Sequence, residues 1–399
     1  MNENYKKYAD LLVNRCLSVK PSQPLLISAP IECIDFVRVV ATTALEAGVK
    51  DIHFDFNDDV LKHEELKHLT NEELTDSKLF NKSIFDEYAK KDAAFLMLYG
   101  DDPDIMSDID KDKIAYTGKL FRTSRPLYKE RQLKYEVPWC IASVSTLGWA
   151  KKVLPNSPTP KEDLWNLIFE MCLVNTPNPI EAWDRKIEMN KLVTEKMNAL
   201  KIKKLMYKNK LGTDFEIGFT DNVWCGAGGH STDDMPIIVN MPSEEIFTTP
   251  NKYTANGIVY ASKPLIYNSS LINNFWLRFE NGRVVDYDAE EGKEILKSII
   301  EIENGDYLGE VALVDVNSPI SKSEVLFYET LYDENASCHL ALGEGFLDCI
   351  KTDKTLEEVG MNMSKTHVDF MIGTDDLEVV AETEDKKLIK IIDKGSFKI

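Results

Sequence analysis

Glu334, His339, His367 and Asp369 lie close together in the last third of the chain, inside the strings D-E-N-A-S-C-H-L-A-L-G and T-H-V-D-F-M-I-G. Two of the chain's 6 histidines are there, each with a carboxylate nearby in sequence. Neutral imidazole nitrogens combined with ionised carboxylate oxygens are what a hard-to-intermediate divalent metal ion takes as ligands. The H-x-D pair is the sharpest part of the pattern, because residues i and i+2 of a strand share a face and would aim at one point. Val368, Phe370, Met371 and Ile372 around it read as a buried strand. An aspartate there is costly unless it is paired or bound to a metal. A hydrogen-bonded His–Asp pair explains H-x-D equally well when it is taken alone. With Glu334 and His339 added, metal binding becomes the better reading.

Further acids stand upstream. Glu244 and Glu245 occur in N-M-P-S-E-E-I-F-T-T-P, which Pro242 and Pro250 bracket as a loop. Glu310 closes Y-L-G-E and is followed by V-A-L-V-D-V, a buried-strand pattern. Taken singly, each of these reads as a solvated surface acid. Glu334 and His339 are five positions apart and do not share a face of one regular helix. The pattern predicts Glu334 in a turn and His339 on the first turns of a helix over A-S-C-H-L-A-L-G, ended by Gly343.

The strings P-S-E-E-I-F-T-T-P, W-L-R-F-E-N-G-R-V-V, L-G-E-V-A-L-V, D-E-N-A-S-C-H-L-A-L-G and H-V-D-F-M-I-G, in this order, are similar to those of the aminopeptidase T and aminopeptidase S family. The resemblance runs over essentially the whole chain. It implies a cytoplasmic, homodimeric exopeptidase with two divalent ions per chain, acting on short peptides with a free N-terminus. Carried over by motif, the metal ligands are Glu245, Glu310, Glu334, His339, His367 and Asp369, with Glu310 and Asp369 as the bridges. Glu245 is preferred to Glu244 by alignment of the loop. Four carboxylates balance the charge of two divalent cations, and a close metal pair can hold a shared hydroxide as nucleophile. Glu244 or Glu310 would then carry the proton to the leaving amine. Zinc, cobalt, manganese and magnesium all suit such a donor set. One departure is visible. The family's tyrosine, implied to stabilise the tetrahedral intermediate, is replaced by Phe346, which cannot donate a hydrogen bond; Tyr328 and Tyr332 are the nearest substitutes. Two other functions stay open. One is a mononuclear Fe(II) ring-cleaving dioxygenase using His339, His367 and Asp369, which would leave Glu245, Glu310 and Glu334 without a task. The other is a homologue that keeps its metals but has lost turnover.

The elements that must position these residues follow from the rest of the chain. Its 399 residues suit two cores rather than one. With 43% hydrophobic residues and no apolar run of about 20, it reads as a globular protein with no membrane span. The N-terminus shows no signal-peptide core. The 7 cysteines are scattered and read as buried free thiols, Cys338 among them as core, in a reducing cytoplasm. A formal net charge of −20 argues against nucleic acid as a partner. Helix-like segments alternate with strand-like ones at 24–30, 51–56, 92–100 and 139–146, which predicts a mainly parallel sheet covered on both faces. His53, His63 and His68 fall in this half and read as rim or solvated-face histidines. Helices are expected from about 161 to 200. There the period changes to that of strands, with a hairpin at Asn281-Gly282 and a glycine-rich loop C-G-A-G-G-H at 225–230. The expected organisation is an α/β domain over residues 1–200 and a strand-rich α+β domain carrying the metal site over 201–399.

Overall fold

In the computed structural model of the chain, all residues are described except 1–2, 227–228, 231–235 and 268–269, together with the side chains of 229–230. Two compact units are present: Met1–Arg185 with Gly228–Pro242, and Lys186–Ala227 with Ser243–Ile399. Among the described residues no helix is long and apolar enough to cross a membrane.

The first unit is built on a parallel sheet whose order is Asn240–Met241, Trp139–Ser143, Ala94–Tyr99, Leu25–Pro30 and Ile52–Asn57. Of the three inner strands, Leu25–Pro30 and Ala94–Tyr99 are apolar almost throughout and nearly wholly buried, as strands covered on both faces must be. Ile52–Asn57 is one edge and is only half-buried. His53 on that strand packs its ring on Tyr88, and His63 bonds to Asp108 on the surface. Neither joins a metal-type cluster among the described residues.

The second unit holds two antiparallel sheets. The larger runs Leu265–Tyr267, Ser270–Glu280, Asn256–Tyr260, Asp214–Gly218, Ile202–Lys208, Glu378–Thr383, Leu388–Asp393 and Ser396–Phe397, and the expected hairpin pairs Ser270–Glu280 with Arg283–Glu291. The smaller sheet positions the site. Its order is His367–Met371, His339–Gly343, Leu308–Leu313, Ile246–Thr248 and Cys225–Gly226. Val311, Leu313, Leu340, Leu342, Val368 and Phe370 belong to one core with residues of the larger sheet such as Phe275, Leu277 and Val379. Because side chains alternate between faces, the residues between them, Glu310, His339, Ala341, His367 and Asp369, all occupy the opposite face.

The structure corrects one sequence expectation. Residues 339–343 form a strand, not the first turns of a helix; only a short helix Thr330–Asp333 and a 3-10 turn Glu334–Ala336 precede it. The Ala and Leu content favours a helix by tenths of a kcal/mol per residue. That preference is overridden because His339–Gly343 is wholly buried and pairs on both sides, with Leu308–Leu313 and His367–Met371. Gly343 ends the strand at a φ of 105°, where a Cβ would strike the Thr366 carbonyl. Of the glycine-rich loop, Cys225–Gly226 pairs with Ile246 and Phe247, and 227–228 lie outside the described residues.

Candidate metal centre

The strand registers bring distant residues into one row. Glu310 stands opposite Ala341, and Ala341 opposite Asp369. The middle member carries only a methyl group, so the two carboxylates can lean toward each other above it. His339 and His367 occupy the same face two residues before Ala341 and Asp369. Glu245 precedes the strand Ile246–Thr248, whose Phe247 faces Ala312 in register and whose Ile246 enters the core. The two-residue period therefore puts Glu245 on the face of the histidines and Glu244 on the other. Glu334 arrives from the 3-10 turn.

Ligand-type atoms converge in three overlapping groups: Glu245, Glu310 and His339; Glu310, His367 and Asp369; Glu334, His339 and Asp369. Within each, the atoms lie inside 4.8 Å of one another. His339 Nε2 is 3.1 Å from Glu245 Oε2, and His367 Nε2 is 3.1 Å from Glu310 Oε2 and 3.2 Å from Asp369 Oδ1. All six residues foreseen as ligands are thus brought together. Glu244 is not in these groups. Its carboxylate is ion-paired with Lys186, and its backbone N–H donates to Asn335 Oδ1 at 2.5 Å.

The other ring nitrogens are held by the backbone. His339 Nδ1 lies 3.0 Å from the Ser337 carbonyl, and His367 Nδ1 lies 2.7 Å from the Glu344 carbonyl. Since a carbonyl only accepts, each Nδ1 carries a proton, which leaves Nε2 as the atom facing the carboxylates, protonated without a cation and able to ligate one once that proton is lost. Fixing one imidazole nitrogen on a carbonyl and offering the other is how metal-binding histidines are oriented. Glu245 Oε2 and Asp369 Oδ1 are buried and accept no aligned hydrogen bond from the protein, despite their closeness to imidazole nitrogens. Buried oxygens aimed at one point without donors are costly, and a cation satisfies them.

Protonation follows from the same crowding. Burial, reinforced by Asp369 and Glu245, raises the Glu310 carboxyl to about 7. Burial and the charges of Asp369 and Glu245 also push Glu334 well above its ordinary range. Asp369 goes the other way, to about 2: burial opposes its charge, but the His367 ring outweighs it. For His339, burial disfavours the imidazolium but the adjacent Glu245 carboxylate prevails, so its pKa is raised. His367 behaves likewise through Asp369 and Glu310. Without a cation, the cluster must hold protons in its place.

Several contributors carried no sequence signal of their own. Asn335 is fully buried; its Nδ2 donates to the Leu331 carbonyl and reaches Glu334 Oε1 at 3.4 Å, while its Oδ1 takes the Glu244 N–H. It thereby ties the loop of Glu245 to the turn of Glu334. Its only trace in the sequence is a polar residue directly beside Glu334. Phe346 packs its ring 5.0 Å from His367 and 5.2 Å from Phe247, beside the cluster. Thr249 Oγ1 fixes the Phe346 backbone, accepting its N–H at 2.7 Å and donating to its carbonyl at 3.1 Å. Tyr332 is buried against Phe327. Cys338 is buried on the core face, with its thiol 3.3 Å from the Val314 carbonyl, and is not a ligand.

The profile of the thermophilic metalloprotease (M29) family matches residues 1–397. Aminopeptidase 2 of Geobacillus stearothermophilus is 36% identical over 400 residues, covering 98% of this chain and 97% of its own. Aminopeptidase AmpS of Bacillus subtilis is 36% identical, over 99% of this chain and 98% of its own. The solved structure of wild-type AmpT from Thermus thermophilus shares the fold with a TM-score of 0.94, at 29% identity and 99% coverage of both chains.

Proposed function

The chain belongs to the thermophilic metalloprotease (M29) family, and from that premise we propose that this metallopeptidase is an aminopeptidase removing the N-terminal residue of short peptides at a two-metal centre. The observation that carries the reading is the pair of imidazoles, each pinned through Nδ1, with four carboxylates gathered around them. One imidazole nitrogen serves one ion. His367 would share its ion with Glu310 and Asp369, and His339 with Glu245 and Glu334. Glu310 and Asp369 each fall in groups belonging to both histidines, which makes them the natural bridges. Two divalent ions held there would supply Lewis-acid polarisation of the scissile carbonyl and a water acidified enough to attack it.

The chain's own residues do the rest. The Ser337 and Glu344 carbonyls hold both imidazoles with Nε2 aimed at the carboxylates. Ala341 leaves room for the bridging acids. Proton transfer to the leaving amine falls to a cluster carboxylate; Glu310 lies in the cluster, whereas Glu244 is on the other face and engaged by Lys186. A free α-amino group is the part of a peptide best matched to a site this acidic, which accounts for exopeptidase action. All six ligands belong to residues 201–399, the catalytic half in this reading, and the family resemblance supports a cytoplasmic homodimer. The test is a panel of aminoacyl substrates and their N-acetylated forms, assayed on chelator-stripped protein and after reloading with zinc, cobalt, manganese or magnesium. Turnover should need both metal and a free amine; equal turnover of the acetylated forms would overturn the aminopeptidase assignment.

A further inference from the structure

Two of the cysteines sit beside the metal-bearing sheet in a relation the peptidase reaction does not use. Cys225 Sγ and Cys349 Sγ are 3.6 Å apart, with the Cys349 thiol donating to Cys225. Their segments are already joined through the backbone. The Val223 N–H donates to the Cys349 carbonyl at 2.8 Å, and Asn222 bridges Ile350 in antiparallel fashion. In this register Cys349 stands opposite Val223, so Cys225 is its diagonal neighbour and the two side chains meet by reaching toward each other. Bond formation needs the sulfurs to close from 3.6 Å to about 2.05 Å. The movable parts are the two-residue edge strand Cys225–Gly226 and the 3-10 turn Leu347–Cys349. Cys225 is partly exposed and Cys349 is buried. By contrast, Cys16, Cys140 and Cys172 are fully buried.

We propose that Cys225 and Cys349 are a redox-modification site that a hydroperoxide converts to a reversible disulfide, slowing turnover at the neighbouring metal centre. The hydrogen bond from Cys349 lowers the pKa of the Cys225 thiol, and the same contact together with burial raises that of Cys349. Cys225 is therefore the attacking thiolate. Its sulfur takes the terminal peroxide oxygen, breaking the O–O bond and releasing an alcohol, or water from hydrogen peroxide. The resulting sulfenic acid is attacked by Cys349 sulfur, which expels water and closes the S–S bond. Two thiol hydrogens and two electrons pass to the peroxide, and a dithiol reductant reverses the change.

The turn that would move is the one that follows Phe346, whose ring lies against His367. Just before it is Glu344, whose carbonyl orients the His367 ring. On the other side Cys225 stands opposite Phe247 in register, and Phe247 packs on Phe346. The bond would thus pull on both supports of one metal-facing imidazole. A misplacement of about 1 Å can cost on the order of 10²-fold in rate.

The effect on turnover rests on the aminopeptidase reading; the bond itself does not, so the two are measured separately. Cobalt-loaded full-length protein is treated with hydrogen peroxide, free thiols are blocked, and peptides are mapped without reduction. The absorption spectrum of the bound cobalt and aminoacyl turnover are followed before and after a dithiol reductant. The expected result is a Cys225–Cys349 cross-linked peptide, an altered cobalt spectrum, and turnover lowered by about tenfold or more and restored on reduction. Cys225→Ser and Cys349→Ser should keep spectrum and turnover through the same treatment. Absence of the cross-link while other thiols oxidise overturns the proposal. So does a cross-link that leaves the cobalt spectrum unchanged, or inactivation that persists in Cys225→Ser. If reduced protein has no turnover at all, the cross-link and spectrum still decide this proposal, and it is the aminopeptidase reading that fails.

Discussion

Replacing Glu310 by Gln separates what this carboxylate does for a metal from what it costs the fold. Glu310 is mid-strand, 3% exposed, and its carboxyl is raised from 4.5 to about 7, first by burial. The fold therefore favours the protonated form. Below pH 4.5 the group is protonated both folded and unfolded, and it costs nothing. Between 4.5 and 7 the unfolded chain ionises it first, so stability falls as pH rises. Above 7 the full cost applies: the rise of 2.5 from 4.5 to about 7, at 1.36 kcal/mol for each, is about 3 kcal/mol. Glutamine is neutral throughout, and His367 keeps Asp369 at 3.2 Å as its counter-charge. Metal-free Glu310→Gln should therefore be more stable than the parent at pH 8, melting several degrees higher, with the advantage fading toward pH 5. Saturating zinc should reverse the order. The parent gains stability by binding, while the variant has lost a ligand from both groups in which Glu310 takes part. Thermal melts of chelator-treated protein at pH 5 and 8, repeated with zinc, read all four states. A variant less stable than the parent at pH 8 without metal, or one stabilised by zinc as much as the parent, would refute this account of Glu310.

Three further outcomes are expected. Phe346→Tyr places a hydroxyl on a ring already 5.0 Å from His367 and should raise kcat by up to about 10²–10³ with little change in metal affinity; an unchanged kcat would mean another donor already serves. Because the carboxylates raise the pKa of both imidazoles over the opposing effect of burial, metal loading near neutral pH should release protons, and apparent affinity should climb as pH rises. Calorimetry in buffers of different ionisation enthalpy measures the release, and none at all would contradict the assigned ligands. Light scattering should give twice the 45.4 kDa of one chain; a monomer at micromolar concentration would remove the dimer.

The parts of the site legible in sequence were those governed by local period. H-x-D on a buried strand put His367 and Asp369 on one face, as the strand His367–Met371 does. The apolar runs at 24–30 and 92–100 gave two of the three inner parallel strands. Where distant pairing decides, local pattern failed. A-S-C-H-L-A-L-G carries good helix formers, yet its place between two partner strands makes it β, and that strand supplies both His339 and the Ala341 gap. Choosing between Glu244 and Glu245 also depends on which face of the Ile246–Thr248 strand enters the core, a fact held by its neighbours rather than by the loop. Asn335 and the carbonyls of Ser337 and Glu344 act through hydrogen bonds across turns, and no residue-type signal marks a carbonyl.

The central claim is that the six residues hold two divalent ions that drive removal of N-terminal residues. Elemental analysis of stripped protein titrated with zinc or cobalt, with aminoacyl turnover recorded at each point, tests it most directly. The account predicts saturation at two ions per chain, with turnover rising as the sites fill, and loss of both in Glu310→Gln. Saturation at a single iron per chain without peptidase turnover would contradict it and favour a mononuclear oxygenase.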